Sequence, residues 1–156
     1  MDQERLLAVL RALEGHSVKY VIVGAVAINL HGLARATEDV DLVVAPEAGN
    51  IDRLKQALRE VFDDPSIDDI RAEDLLGEYP AIQYVPPDGA FHLDLLTRLG
   101  EMFAFDTLPS ERLPFSGLSV PVVTARGLYQ MKKGTLRLKD KADAEMLRRR
   151  FGPEVE

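Results

Sequence analysis

No cysteine occurs anywhere in the 156 residues. That excludes disulfides and thiolate metal sites, and suits a reducing cytoplasm, the location expected for this chain. No stretch approaches the ~20 consecutive apolar residues of a membrane span. The opening MDQERLLAVL lacks the cationic start and apolar core of a secretory leader, so no membrane partner is expected. A general excess of positive charge is missing too. The formal net charge is −7, which argues against a broadly basic surface for nucleic acid. The charge is nevertheless uneven. Residues 126–150 hold nine Lys/Arg against three Asp/Glu, a net +6, which leaves −13 on the remainder. A basic segment facing an acidic site is suited to holding a polyphosphate beside metal ligands.

The stretch Tyr20 to Val44, YVIVGAVAINLHGLARATEDVDLVV, is the most informative. Tyr20 to Val23 is a short β-branched run ended by Gly24, the pattern of a buried strand. Ala25 to Leu30 is apolar nearly all round, which predicts a short buried helix closed by His31-Gly32. Leu33 to Glu38 is a polar loop, and Asp39 to Val44 is a second strand. There Asp39, Asp41 and Val43 share one face, and Val40, Leu42 and Val44 the other. At roughly 3.3 Å per residue the two carboxylates sit about 7 Å apart on one side of a strand. Like charges held together repel, and a divalent ion relieves the repulsion. Mg²⁺ takes oxygen ligands, commonly one or two carboxylates plus substrate phosphates. Gly24 meanwhile opens a helix whose free N–H groups suit a phosphate. Taken singly, Asp-x-Asp is more often a solvated strand edge, and Gly after a strand only a turn. Their combination, with thirteen residues between Ala25 and Asp39, is what points to a site.

Farther on, Ala81 to Val85 reads as a strand, Pro86-Pro87-Asp88-Gly89 as a tight turn, and Phe91 to Leu96 as the return strand of a hairpin. Phe91, Leu93 and Leu95 share one face; His92, Asp94 and Leu96 share the other. A charge in an apolar strand is costly to bury without a partner. Asp94 is therefore the natural third carboxylate, against the plainer reading of an edge charge that discourages aggregation. His92 is either a support for it or a packed neutral imidazole.

The remaining segments supply scaffold. Leu6, Val9, Leu10 and Leu13 mark a helix over Asp2 to Glu14. Ile51, Leu54, Leu58, Val61 and Phe62 mark another that ends near Phe62. Asp63 to Asp69 is expected as a solvated loop, since it lacks the glycine and terminal Glu of a calcium loop. Thr97 to Phe115 is expected as a loop folded back on the core through Met102, Phe103, Phe105, Leu108 and Leu113. Leu118 to Val123 is a strand, placed at the sheet edge by Pro121. Thr124 caps a helix that stops near Gly134, and a last helix runs from near Leu138 to Phe151. The expected architecture is α/β (α+β): a mixed, mostly antiparallel sheet flanked by helices. The chain is read as a single domain over 1–156, with 124–151 a helical segment packed on it.

The wording VGAVAINLHGLARATEDVDLVV resembles the signature of the nucleotidyltransferase superfamily, the polymerase-β-like fold. That signature is an apolar strand, Gly followed by Gly or Ser, a spacer, Asp-x-Asp or Asp-x-Glu in a strand, and a third carboxylate on a later strand. Within the superfamily the chain is similar to small bacterial proteins grouped with AbiEii-type toxins of type IV toxin–antitoxin pairs. LYQMKKGTLRLKDKADAEML resembles their C-terminal pattern at Lys132, Arg137 and Lys139-Asp140. The resemblance implies transfer of NMP from an NTP to a hydroxyl acceptor: a tRNA end, a protein or a small molecule. It implies two Mg²⁺, with Mn²⁺ as a substitute, on Asp39, Asp41 and Asp94. It implies nucleotide contacts at Gly24 and Ala25, and triphosphate neutralisation by Lys132 and Lys139; a dipole-complementing helix end is the plainer reading of the two lysines. Arg35 and Thr37 either contact phosphate or shape the loop before the acidic pair. A cognate antitoxin is the implied partner. Ala25 departs from the family pattern: it keeps the backbone N–H but offers no hydroxyl. That feature favours the rival reading, a non-catalytic binding or regulatory module of the same fold. A glycosyltransferase also uses Asp-x-Asp, but there the motif follows its apolar run, whereas here the run continues past it.

Overall fold

The computed structural model describes residues 1–78, 81–99 and 103–156. Helix α1 spans Gln3–Gly15, and the Asp2 carboxylate caps it by accepting from the Arg5 N–H. Its buried stripe is Leu6, Val9, Leu10, Ala12 and Leu13, each large side chain there worth about 1.5–3 kcal/mol of burial. Strand β1 (Tyr20–Val23) is buried at all four positions, as a central strand covered on both faces must be. Helix α2 (Gly24–Leu30) follows without a linker. Strand β2 (Asp39–Val44) then returns antiparallel to β1, with Tyr20 opposite Val44 and Val23 opposite Asp41.

Helix α3 (Ala48–Val61) packs on α1. Asn50, fully buried at its base, accepts from the Lys19 N–H at 2.7 Å and donates to the carbonyls of Lys19 and Ala45 at 3.0 and 3.2 Å. It thereby ties the approach to β1, the end of β2 and α3 together. The acidic segment beyond is largely solvated, as its composition predicts, but it is ordered rather than a plain loop. Pro65–Asp69 forms a 3₁₀ turn that inserts Ile67 fully into the core. Ile67 alone is buried there; Pro65, Ser66, Asp68 and Asp69 stay exposed.

A one-turn helix α4 (Ala72–Leu75) leads to the expected hairpin, β3 (Ala81–Tyr84) and β4 (His92–Leu96), paired from Ala81 opposite Leu96 to Tyr84 opposite Leu93. Strands β5 (Arg98–Leu99) and β6 (Phe103–Ala104) make a separate two-stranded ribbon. Phe103 and Leu108 are buried, as a segment folded back on the core requires; Met102 lies outside the described residues.

Strand β7 (Ser110–Phe115) falls where the sequence predicts loop, and it pairs along β8 (Leu118–Val123) from Ser110 opposite Val123 to Phe115 opposite Leu118. It is the sheet edge, with its first three residues exposed. Strand β8 is therefore internal, contrary to the edge position that Pro121 predicts. The proline is tolerated where the parallel ladder to β1 is short, a single pair of Ile22 opposite Val122. The six-stranded sheet runs β3-β4-β2-β1-β8-β7. Three of its five pairings are antiparallel, while β2/β4 and β1/β8 are parallel. Helices α5 (Ala125–Lys132) and α6 (Leu138–Phe151) pack on each other. His31 fastens them to the sheet: its Nε2 lies 2.8 Å from the Val123 carbonyl and its ring meets Phe151 edge-on.

Candidate active site

The site is built on a parallel pairing that the β3/β4 hairpin does not fix. Strand β4 lies parallel to β2, beginning with the His92 N–H donating to the Glu38 carbonyl at 2.8 Å. In that register Asp39 stands opposite His92, and Asp41 opposite Asp94. Side chains directly opposite on one face are neighbours. Asp41 and Asp94 are therefore cross-strand neighbours, and Asp94 Oδ1 accepts from Gln83 Nε2 at 3.1 Å. At the strand mouth His92 Nδ1 is 3.3 Å from Asp39 Oδ1.

The electrostatics follow. Burial pushes the Asp41 carboxyl up to about 7, helped by the neighbouring Asp94 carboxyl and by the charge of Asp39, and opposed by Lys132. The cause is the crowding of like charge in a partly dry place.

Gly24 is placed by the same crowding. Its φ is +70°, and a Cβ there would lie 2.1 Å from Asp41 Oδ2. Only glycine lets the backbone turn from β1 into α2 while pressed against that carboxylate. Ala25 follows, buried. The loop before β2 is held by its own polar groups. Asn29 Oδ1 accepts from the Arg35 N–H at 2.8 Å, and Thr37 Oγ1 accepts from the Asp39 N–H at 3.0 Å. The Thr37 hydroxyl therefore serves the entry to β2.

The opposite wall comes from the C-terminal helices. Lys132 Nζ is 2.8 Å from Asp143 Oδ2 and 3.3 Å from Asp140 Oδ1. Arg35 Nε donates to Asp143 Oδ1 at 2.8 Å. These parts enclose a cleft of about 560 Å³, within the roughly 300–1,000 Å³ of small-molecule sites. Every site residue named from the sequence lines it: Gly24, Ala25, Arg35, Thr37, Asp39, Asp41, Asp94, Lys132 and Lys139. His92, Arg137 and Asp140 line it as well.

The residues present fit a divalent cation. The donor set is all carboxylate oxygen, as Mg²⁺ prefers, and like charges facing each other across β2 and β4 are what a cation relieves. Among the described residues no three His, Cys, Asp or Glu side chains already stand at metal-holding spacing. The carboxylates are gathered on one face without being drawn onto one point.

Sequence reasoning did not single out Asp143 or Gln83. Asp143 carried a usable signal, since it falls at helical spacing between Asp140 and Leu147, on the inward stripe of α6. Gln83 carried none beyond its place opposite Asp94 in the hairpin.

A mixed six-stranded sheet flanked by helices is the nucleotidyltransferase-like architecture, and solved structures share that fold. An antigenic nucleotidyltransferase-like protein from Paracoccidioides brasiliensis is 19% identical, with a TM-score of 0.54 over 94% of this chain and 75% of that one. ANT(2″)-Ia in complex with adenylyl-2″-tobramycin is 14% identical, with a TM-score of 0.58 over 97% of this chain and 90% of that one. Residues 5–132 match the family model described as nucleotidyl transferase AbiEii toxin, type IV toxin–antitoxin system, and the chain belongs to that family. No curated protein matches it. Among the described residues no helix is long and apolar enough to cross a membrane.

Proposed function

We propose that this chain transfers a nucleotidyl group from a nucleoside triphosphate to a hydroxyl acceptor in a metal-dependent reaction, as the toxin of a toxin–antitoxin pair. The observation that carries the reading is the pairing of Asp41 with Asp94 across β2 and β4, in a cleft that also holds Arg35, Lys132 and Lys139. Asp39, Asp41 and Asp94 would hold Mg²⁺, or Mn²⁺ in its place. When bound, such ions stabilise charge on the entering and leaving oxygens of an in-line displacement.

The chain's own residues do the rest. Lys132, Lys139 and Arg137 offset the negative charge of the phosphates, with the Gly24 and Ala25 backbone N–H groups beside them. Asp94 accepts the proton of the acceptor hydroxyl. The new O–P bond forms at the α-phosphorus as the bond to pyrophosphate breaks. Catalysis here is chiefly positioning and charge stabilisation.

The acceptor is a tRNA end, a protein hydroxyl or a small molecule; in the ANT(2″)-Ia complex the adenylylated compound is tobramycin. Incubating the protein with labelled NTPs, Mg²⁺ and either total tRNA or lysate tests the reading. Label should enter one acceptor fraction, and Asp41→Asn should abolish it. Undiminished transfer by the variant would refute the role of the acidic pair.

One observation favours a second reading, a non-catalytic binding module: Ala25 stands where the family carries Gly or Ser. Calorimetry with each NTP, with and without Mg²⁺, separates the two, because only the enzyme requires that nucleotide affinity depend on the metal.

A further inference from the structure

We propose that Asp143 is a positioning residue: buried in α6, it holds Arg35 and Lys132 in place so that a triphosphate meets a preformed pair of cations. The triphosphate as ligand rests on the function proposed above; the fastening of the two cations does not.

Asp143 is 2% exposed. A buried carboxylate is costly unless it is paired and hydrogen-bonded, and this one is paired on both oxygens. Arg35 Nε reaches Oδ1 at 2.8 Å, and Lys132 Nζ reaches Oδ2 at 2.8 Å. The two cations come from segments far apart in the chain, the loop before β2 and the end of α5. Without Asp143 nothing else on α6 reaches Arg35 among the described residues. Burial alone would push the Asp143 carboxyl up; hydrogen bonds from Lys132 and Arg35, with their charges, hold it below the usual range instead.

The arrangement leaves binding capacity over. Guanidinium carries five N–H donors and ammonium three. Arg35 uses Nε on Asp143 and Nη1 on the Ala36 carbonyl, while Lys132 uses two contacts, to Asp140 and Asp143. Donors remain on both, and both side chains line the cleft. Lys132 also lowers the proton affinity of Asp41, so its charge is felt at the acidic pair. Long cationic side chains ordinarily lose rotamer freedom when they grip a ligand. Here they are restrained beforehand, at 25% and 12% side-chain exposure.

The experiment compares wild type with Asp143→Asn, which keeps the shape and removes the charge. Three probes are titrated: ATP with Mg²⁺, inorganic triphosphate, and adenosine. Affinity for ATP and triphosphate should fall at least tenfold, while affinity for adenosine stays unchanged; a merely structural lesion would weaken all three together. In the ligand-free proteins, NMR should show the Arg35 Nε–H protected from exchange in wild type and unprotected in the variant. If Asp143→Asn does not fold, Arg35→Lys keeps the charge without the Nε–H donor and should show the same selective loss.

A folded Asp143→Asn with unchanged triphosphate affinity overturns the proposal, as does an unprotected Arg35 Nε–H in wild type. Selective loss in the variant, with no acceptor labelled by wild type, leaves Asp143 its role and removes the transferase reading. A wild type that binds neither ATP nor triphosphate overturns both.

Discussion

Asp41 on β2 stands opposite Asp94 on β4 across a parallel pairing, and both carboxyls line the cleft. An anion opposed to an anion is unstable unless one keeps its proton or a cation joins them. Burial and the neighbouring charges of Asp94 and Asp39 push the Asp41 carboxyl toward the first course.

A pH dependence follows. The Asp41 carboxyl moves from an ordinary 3.8 to about 7 in the fold. Between those values the native state holds a proton that the unfolded chain has released. Stability is therefore fully present below the lower value and is lost as pH rises toward the upper one. At about 1.4 kcal/mol per pKa unit the loss is on the order of a few kcal/mol. Urea unfolding of the metal-free protein from pH 4 to pH 8 should show the decline in wild type and a much flatter profile in Asp41→Asn. Parallel profiles would mean that Asp41 is not the group responsible.

Gly24→Ala should damage both fold and site. The positive φ disfavours any side chain, and the added carbon would meet Asp41 Oδ2 at 2.1 Å. Strain of this kind costs about 1–3 kcal/mol, and relief requires Asp41 to move. Thermal unfolding should register the loss of stability, and Mg²⁺-dependent NTP turnover should disappear with it. A variant as stable and as active as wild type would show that neither the turn nor the Asp41 carboxylate depends on glycine at this position.

Asn50→Ala tests the scaffold away from the chemistry. The amide satisfies the Lys19 N–H and the carbonyls of Lys19 and Ala45. Stranding buried backbone groups costs about 1–3 kcal/mol each when water cannot replace the lost partner. Chemical denaturation should show a loss of at least that size, whereas Asn50→Asp should recover only the part owed to the Lys19 N–H.

Much of this was legible beforehand because the site breaks local rules. Asp39, Asp41 and Asp94 are charges inside apolar strands, and alternation alone assigns their faces. The turn at Pro86 to Gly89 fixes the hairpin that presents Asp94. What alternation does not give is which strand lies beside which. The parallel register that puts Asp94 against Asp41 depends on how the whole sheet assembles. Strand β7 was hidden for a different reason. An exposed edge strand needs little apolar content, and SERLPF carries a proline besides. Pro121 misled in the opposite sense, since a short ladder let it sit inside the sheet. Asn50 looks like an ordinary helix-surface residue until its partners, distant in sequence, are seen, and the inward spacing of Asp143 says nothing of the cations it meets.

The parallel union of β2 and β4 also sets an order of events during synthesis. The first two aspartates leave the ribosome well before residue 94, and the α6 carboxylate bonded to Arg35 and Lys132 comes later still. A partly translated chain cannot assemble the complete constellation, so the cleft closes around its acidic residues only after the later strands and helices have emerged and docked.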